Sequence, residues 1–223
     1  MFDSVFSADQ LVRIPGGSVP VRITHGPSRE YFTGIGFPLI RDWLYLSPVD
    51  EPSGEFPDLG TVRPELDEFI DIPGGAKEWL LVGHLGPDLL LLDGATGRVH
   101  AIVNGSDEIT PVHESLQELG FFLYVMQRER ALFYGPYEDT DESEDVRGAI
   151  DLVRAELAAA GPDAFTGPGA SWPRLLREFK DEWVEYAPAG SGPQAGTSYP
   201  GEHNWWAPRT CPEPARRCDR GHK

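Results

Sequence analysis

The sequence predicts an α+β domain in which an antiparallel β-meander packs against helices. Three short apolar segments, at 79–84, 89–92 and 98–103, are separated by glycine-rich turns, as consecutive antiparallel strands are. The helical patterns follow these segments in the chain rather than alternating with them, which favours α+β over α/β. Hydrophobic residues make up 40% of the 223 residues, enough to build a core for such a domain.

The three segments of the meander differ in their apolar pattern. The first two, 79–84 and 89–92, are apolar almost throughout, which predicts central strands covered on both faces. The third alternates and places Val99, Ala101 and Val103 on one face. Residues 85–88 and 93–97 carry the glycines of the two connecting turns.

Glycine and proline punctuate the chain before the meander. Ser28 is the expected cap of a short helix over 29–34, with Glu30 in its first turn. Gly36 and Pro38 are expected to stop that helix. Two further segments, 39–47 and 66–72, have the composition of strands.

Three helices are predicted after the meander, because apolar residues recur there at helical spacing. They run from about Val112 to Gln127, from Ser143 to Ala160 and from about Trp172 to Tyr186. Either Thr110 or Asp107 is the expected cap of the first helix, and Gly161 is expected to end the second.

Composition divides the chain near Tyr186. Residues 1–186 carry 14 Lys and Arg against 33 Asp and Glu, whereas residues 187–223 carry 5 against 3. The second part is also rich in Pro, Gly and Ser, which is typical of disordered segments. We therefore expect one domain over 1–186, followed by a Pro/Gly-rich disordered tail over 187–223.

The cellular compartment predicted from the sequence is the cytoplasm. Residues 1–14 lack the basic start and apolar run of a secretory signal, and no stretch approaches the ~18–20 apolar residues of a membrane span. The two cysteines, Cys211 and Cys218, both lie near the end of the chain. A body without cysteine needs no disulfides and fits a reducing compartment.

The formal net charge of −17 bears on the kind of partner. It argues against direct contact with nucleic acid or an anionic membrane surface, since phosphates attract Lys and Arg. A basic protein surface is the natural complement, although acidity also serves solubility alone. Six acids lie within eight residues and form either a solvated linker or a contact patch for a basic partner: Glu138, Asp139, Asp141, Glu142, Glu144 and Asp145.

No residue pattern predicts catalysis, a cofactor or a metal ion. The glycines of 94–97 join two strands instead of opening a helix, so they indicate a hairpin turn and not a phosphate loop. No G-x-S-x-G motif occurs. The histidines of the body are scattered over different elements and those of the tail fit no compact zinc module: His25, His84, His100 and His113, then His203 and His222 with Cys211 and Cys218.

Residues 25–38 and the meander together resemble a known family. Arg29 and Thr33, followed by Gly36 and Pro38, are similar to the opening signature of the fourth group of the SUKH superfamily. The turn at 93–99, with Asp93, Thr96, Gly97 and Val99, resembles that family's Asp-x-x-Thr-Gly-x-Val turn. Weaker similarity extends the resemblance over about residues 11–185.

The resemblance implies a fold and a role. SUKH proteins are α+β proteins, and many are immunity proteins that bind and block a polymorphic or contact-dependent toxin, often a nuclease or a nucleic-acid deaminase. The resemblance supplies no catalytic residues, so a binding protein without enzymatic activity is expected. Its signature residues are expected to be structural: Arg29, Gly36, Pro38, Asp93 and Gly97. The alternative is an intracellular adaptor with the same fold and no toxin partner.

Overall fold

The computed structural model describes residues 2–38, 40, 56–68, 71–85, 87–104, 108–130, 143–166 and 170–185, with side chains omitted at 143–147 and 180–185. Six strands are β1 (Leu11–Val12), β2 (Phe37–Pro38), β3 (Leu80–Leu85), β4 (Asp88–Leu92), β5 (Val99–Ile102) and β6 (Ile109–His113). Five α-helices are α1 (Gly26–Glu30), α2 (Leu59–Val62), α3 (Leu116–Arg128), α4 (Ser143–Ala160) and α5 (Ser171–Glu185). Single 3₁₀ turns lie at Phe2–Ser4, Gly16–Ser18, Leu66–Glu68, Ala76–Glu78 and Pro162–Phe165.

The main sheet is a four-stranded antiparallel meander in the order β3-β4-β5-β6. Its first three strands confirm the predicted meander, and the α+β class is confirmed with it. The fourth strand, β6, was not predicted and pairs with β5. A small second sheet pairs β1 with β2, with Leu11 opposite Pro38. No helix in the described part of the chain is long and apolar enough to cross a membrane.

The main sheet is covered on both faces. One face packs against α3, α4, α5 and the N-terminal residues in the larger hydrophobic cluster, which contains Leu90, Leu92, Val99 and Ala101. The opposite face carries a smaller cluster of buried residues: Leu59, Leu81, Leu89, Leu91 and Ile102. All five residues of β4 are buried, so the prediction of a central strand covered on both faces is confirmed there.

The strand β3 lies at the edge of the sheet, although its apolar sequence predicted a central position. Residues before α2 shield that edge: the backbone N–H of Leu81 donates to the carbonyl of Pro57 at 2.8 Å. The N–H of Leu59 donates in turn to the carbonyl of Trp79 at 2.8 Å. Because the edge of β3 is hydrogen-bonded and both of its faces are buried, the strand has the apolar pattern of a central strand.

The helix predicted from Val112 begins four residues later, so its predicted start was wrong. The hydroxyl of Ser115 accepts from the backbone N–H of Glu118, and the Glu118 carboxylate accepts from the N–H of Glu114 at 2.9 Å. The two bonds fix the first turn in the manner of a capping box, with Glu118 reaching the residue before the cap instead of the cap itself. Val112 belongs to β6 but lies at helical spacing from Leu116, which explains the error. Thr110 is part of β6, and Asp107 lies outside the described residues.

The helix predicted over 29–34 is shifted. It starts at Gly26, and one π-helical turn over Tyr31–Ile35 completes it. Ser28 lies inside the first turn rather than at the cap, and its hydroxyl shares a hydrogen bond of 2.8 Å with Nδ1 of His25. Gly36 ends the turn with a φ of 92°, in the left-handed region that glycine favours. Pro38 lies beyond it in β2.

The predicted strand at 66–72 was wrong in its described part, where Leu66–Glu68 forms a 3₁₀ turn, and residues 69–70 lie outside the described residues. The N–H of Glu68 donates to the carbonyl of Glu65, and the Asp67 carboxylate pairs with the Lys77 ammonium at 2.6 Å. These local contacts replace ladder pairing. Of the other predicted strand, 39–47, only Ile40 lies within the described residues.

The two C-terminal helices agree with the sequence. The bounds of α4 match the prediction, and α5 begins one residue before the predicted Trp172. Ile150, Val153 and Leu157 lie on the buried face of α4, as their spacing indicated. Among the residues of α5, Trp172 is fully buried.

Candidate functional site

The predicted acidic contact patch falls mainly outside the described residues. Glu138, Asp139, Asp141 and Glu142 all lie there, and only the backbone of Glu144 and Asp145 is described, in the first turn of α4. The patch therefore stays a prediction.

Arg29 ties the N-terminal loop to α1. Its guanidinium donates to the carbonyl of Ile23 at 2.9 Å and, more weakly, to those of Pro20 at 3.5 Å and Gly16 at 3.4 Å. One planar guanidinium thus donates to three backbone carbonyls, which arginine can do because it carries five N–H donors in a fixed fork. In the described structure these contacts occupy Arg29 with the chain's own backbone.

Gly36 is required where the π turn meets β1. A Cβ atom added there would lie 2.9 Å from Cγ of Arg13 and 3.2 Å from the carbonyl oxygen of Val12. The positive φ of 92° adds a second reason for glycine. Gly36 and Pro38 together allow the chain to leave α1 and pair with β1.

Asp93 and Gly97 shape the turn between β4 and β5. Oδ1 of Asp93 accepts from the N–H of Ala95 at 2.9 Å, and Oδ2 accepts from the Thr96 hydroxyl at 2.7 Å. An aspartate that accepts from the backbone two residues ahead is a common turn former. Burial raises the pKa of Asp93, but these hydrogen bonds outweigh burial and leave the pKa lowered.

The two parts of the signature meet in space. The backbone N–H groups of Thr24 and His25 both donate to the carbonyl of Gly94 at 2.9 Å. Gly97 lies directly against the His25 ring, since an added Cβ would fall 2.1 Å from Nδ1. The start of α1 is therefore docked on the β4–β5 turn.

Replacing Gly97 with alanine is expected to destabilise the fold by more than replacing Gly75. Both glycines have nearly the same positive φ, 81° at Gly97 and 82° at Gly75, so the backbone strain is matched. Nothing lies within 4 Å of the added Cβ at Gly75, whereas His25 blocks it at Gly97. We expect a loss of about 1 kcal/mol for Gly75→Ala and about 2–4 kcal/mol for Gly97→Ala, measured by urea unfolding. Equal losses would show that the His25 contact carries no weight.

A buried carboxylate links the sheet to α5. Asp88, at the start of β4, accepts from the backbone N–H of Asn104 at 2.9 Å and from the Ser171 hydroxyl at 2.7 Å. The Arg174 guanidinium also donates to it. The Asp88 side chain is fully buried, and its partners hold it within the protein. Since 83 residues separate Asp88 from Ser171, no local motif could reveal the pair.

A second buried polar group lies between β6, α3 and α5. The indole Nε1–H of Trp172 donates to Nε2 of His113 at 2.9 Å, so the neutral ring carries its proton on Nδ1. Oε1 of Glu118 lies 3.6 Å from that Nδ1. Burial lowers the pKa of His113, and the opposing effect of the Glu118 carboxylate is smaller. His113 is thus a buried neutral residue of the core.

These buried groups are held by partners within the protein. Within the described ranges, no three His, Cys, Asp or Glu side chains come together as metal ligands. The signature residues and the buried polar groups all act within the domain. What the described structure offers to another molecule is its surface.

Comparison with known proteins agrees with this geometry. The family model of the SUKH-4 immunity protein matches residues 1–178, which include the whole main sheet, α1 to α4 and the first half of α5. No curated protein and no solved structure matches the chain. The family match covers most of the sequence, and the chain belongs to the SUKH-4 immunity protein family.

Proposed function

We propose that this chain neutralises a cognate polymorphic or contact-dependent toxin by binding it one-to-one, without catalysis. The family match over residues 1–178 carries the proposal, because the family is one of immunity proteins. An immunity protein must recognise a protein toxin, which makes a protein the partner. We further propose that it acts in the cytoplasm, where a nucleic-acid-directed toxin meets its target.

Charge supports a basic toxin domain as the partner. The chain has a formal net charge of −17, so it repels nucleic acid and anionic membranes. A nuclease or a nucleic-acid deaminase presents a basic cleft to its phosphate-bearing substrate. An acidic protein that covers such a cleft gains both attraction and a faster encounter.

The acidic run at 138–145 is the proposed electrostatic contact. It holds six acids in eight residues, the densest charge in the chain. We assign the binding function to the domain over 1–186 and treat the Pro/Gly-rich residues 187–223 as a separate tail.

Binding to the C-terminal domain of a toxin-like protein, taken from the nearest neighbouring gene that encodes one, tests the proposal. We expect a one-to-one complex by calorimetry and gel filtration, with affinity that falls as salt rises from 50 to 500 mM. The triple variant Glu138→Gln, Asp139→Asn and Asp141→Asn removes three negative charges from the run. It should weaken binding about three- to tenfold at low salt.

A matched control carries the same three types of substitution on exposed acids elsewhere: Glu30→Gln, Asp9→Asn and Asp163→Asn. This control should bind within about twofold of the wild type. Equal weakening by both variants would show that the loss of affinity follows net charge, and would reject the acidic run at 138–145 as the contact. Absence of binding by the wild type would reject the immunity role and favour the adaptor alternative.

A further inference from the structure

The sheet face opposite the larger cluster is buried at its centre and reaches solvent at its margin. Among the described residues, the smaller cluster on this face is flanked by four hydrophobic side chains that are only partly buried: Val62, Leu66, Trp79 and Ile109. Within the described part of the chain, α2, Leu66 and Trp79 contribute side chains to this cluster from outside the sheet. On the other face, the described helices α3, α4 and α5 pack on the larger cluster. The partly exposed margin is therefore the part of this face that another molecule can contact.

Trp79 is the largest group on this face and is held in a fixed orientation. Its indole stacks on the His100 ring, with centroids 4.0 Å apart and planes at 21°. Burial lowers the pKa of His100, so the stack consists of two neutral rings near neutral pH. A partly buried tryptophan that is already ordered loses little freedom on binding, and tryptophan is enriched among residues that dominate protein interfaces.

Acidic side chains outnumber basic ones in the segments that adjoin this tryptophan. Glu78 precedes it in the chain, and Glu65 and Glu68 lie one residue before and two residues after Leu66, which packs in the same cluster. The pair between Asp67 and Lys77 joins this segment to the turn that leads into Trp79. Glu65, Glu68 and Glu78 are all exposed. An apolar aromatic centre with a charged rim is the usual anatomy of a protein–protein interface.

We propose that this surface, defined by Trp79 and His100 with the acidic rim of Glu65, Glu68 and Glu78, is where the basic toxin domain docks. The inference rests on the proposed function and is tested separately from the acidic run at 138–145, because α4, which begins within that run, packs on the opposite face of the sheet. Charge decides the kind of occupant: the acidic rim selects a basic protein surface and disfavours a second copy of this acidic chain.

The test measures affinity for the toxin domain of the neighbouring gene with two independent variants of the full chain. Trp79→Ala should weaken binding by about 30-fold or more, because truncating an ordered tryptophan at the centre of an interface removes a dominant contact. Glu65→Lys with Glu68→Lys should weaken it about tenfold or more at 50 mM salt and less at 500 mM. Circular dichroism confirms folding, and the double lysine variant is informative even if Trp79→Ala unfolds.

The matched control places two lysines on the other side of the sheet, Glu30→Lys with Asp163→Lys. Both acids are exposed, and they neighbour Tyr31 and Ala164, which belong to the larger cluster. The control should retain affinity within about threefold. If wild type binds but the rim variant binds as well as the control, the docking surface is wrong and the immunity role stands. If wild type does not bind, both proposals fall.

Discussion

Replacing Asp88 with alanine should destabilise the domain by about 3–5 kcal/mol, because it removes one partner of a buried charge pair. The carboxylate is fully buried and accepts from Asn104, Ser171 and Arg174. Its loss leaves the Ser171 hydroxyl without its acceptor and leaves the Arg174 guanidinium only the more distant Glu178 carboxylate at 3.7 Å. Because the pair joins β4 to α5, we expect α5 to lose protection from hydrogen exchange first.

Urea unfolding of two further variants serves as the control. Asp88→Asn keeps the shape and one acceptor oxygen, so an intermediate loss of about 2 kcal/mol is expected. Glu156→Ala breaks the bidentate contact between Glu156 and Arg128. The Glu156 side chain is 39% exposed and the Arg128 side chain 35% exposed. That exposed pair should contribute about 1 kcal/mol or less. Similar losses for Asp88→Ala and Glu156→Ala would contradict the assigned role of burial.

Replacing Trp172 with alanine should also cost about 3–5 kcal/mol, since it empties a fully buried site in the larger cluster. The indole further donates to His113, so Trp172→Phe should still cost about 1–3 kcal/mol through the lost donor. Thermal unfolding of the two variants separates packing from hydrogen bonding. A phenylalanine variant as stable as wild type would exclude an energetic role for the Trp172–His113 bond.

The same contact gives stability a dependence on pH. Burial lowers the pKa of His113 in the folded chain, whereas in the unfolded chain the pKa keeps the ordinary histidine value near 6.5. The unfolded chain therefore binds more protons than the folded chain as the pH falls below 6.5. Stability is therefore greatest above pH 6.5 and declines as the pH falls below it. His113→Gln should reduce the change in unfolding free energy between pH 7 and pH 5.5. The same measurement on His100→Gln gives the contribution of His100, the other histidine with a lowered pKa.

The predictable parts of the fold are those set by local pattern. The turn chemistry of Asp93 and Gly97 and the apolar runs around it identify three strands of the meander. The uninterrupted helical spacing from Val146 to Leu157 and the stop at Gly161 define α4. The family signature was recognisable for the same reason, because its residues fix turns and helix ends.

The parts that were missed depend on contacts distant in sequence or on competition between local patterns. The strand β6 contains Pro111 and merges with the helical spacing of α3, so only pairing with β5 reveals it. The Asp58 cap of α2 accepts from the N–H of Thr61, a signal present in the sequence but overlooked. The partners of Asp88 and His113 that lie on α5 are 59 or more residues away, beyond the reach of spacing arguments.

The most direct test of the central claim is a titration of toxin activity. The C-terminal domain encoded by the neighbouring gene is assayed on nucleic acid while this chain is added at concentrations far above its dissociation constant. Stoichiometric neutralisation predicts a linear loss of activity that ends at one equivalent. Activity that persists at any excess, or disappears well below one equivalent through catalytic inactivation, would contradict the account.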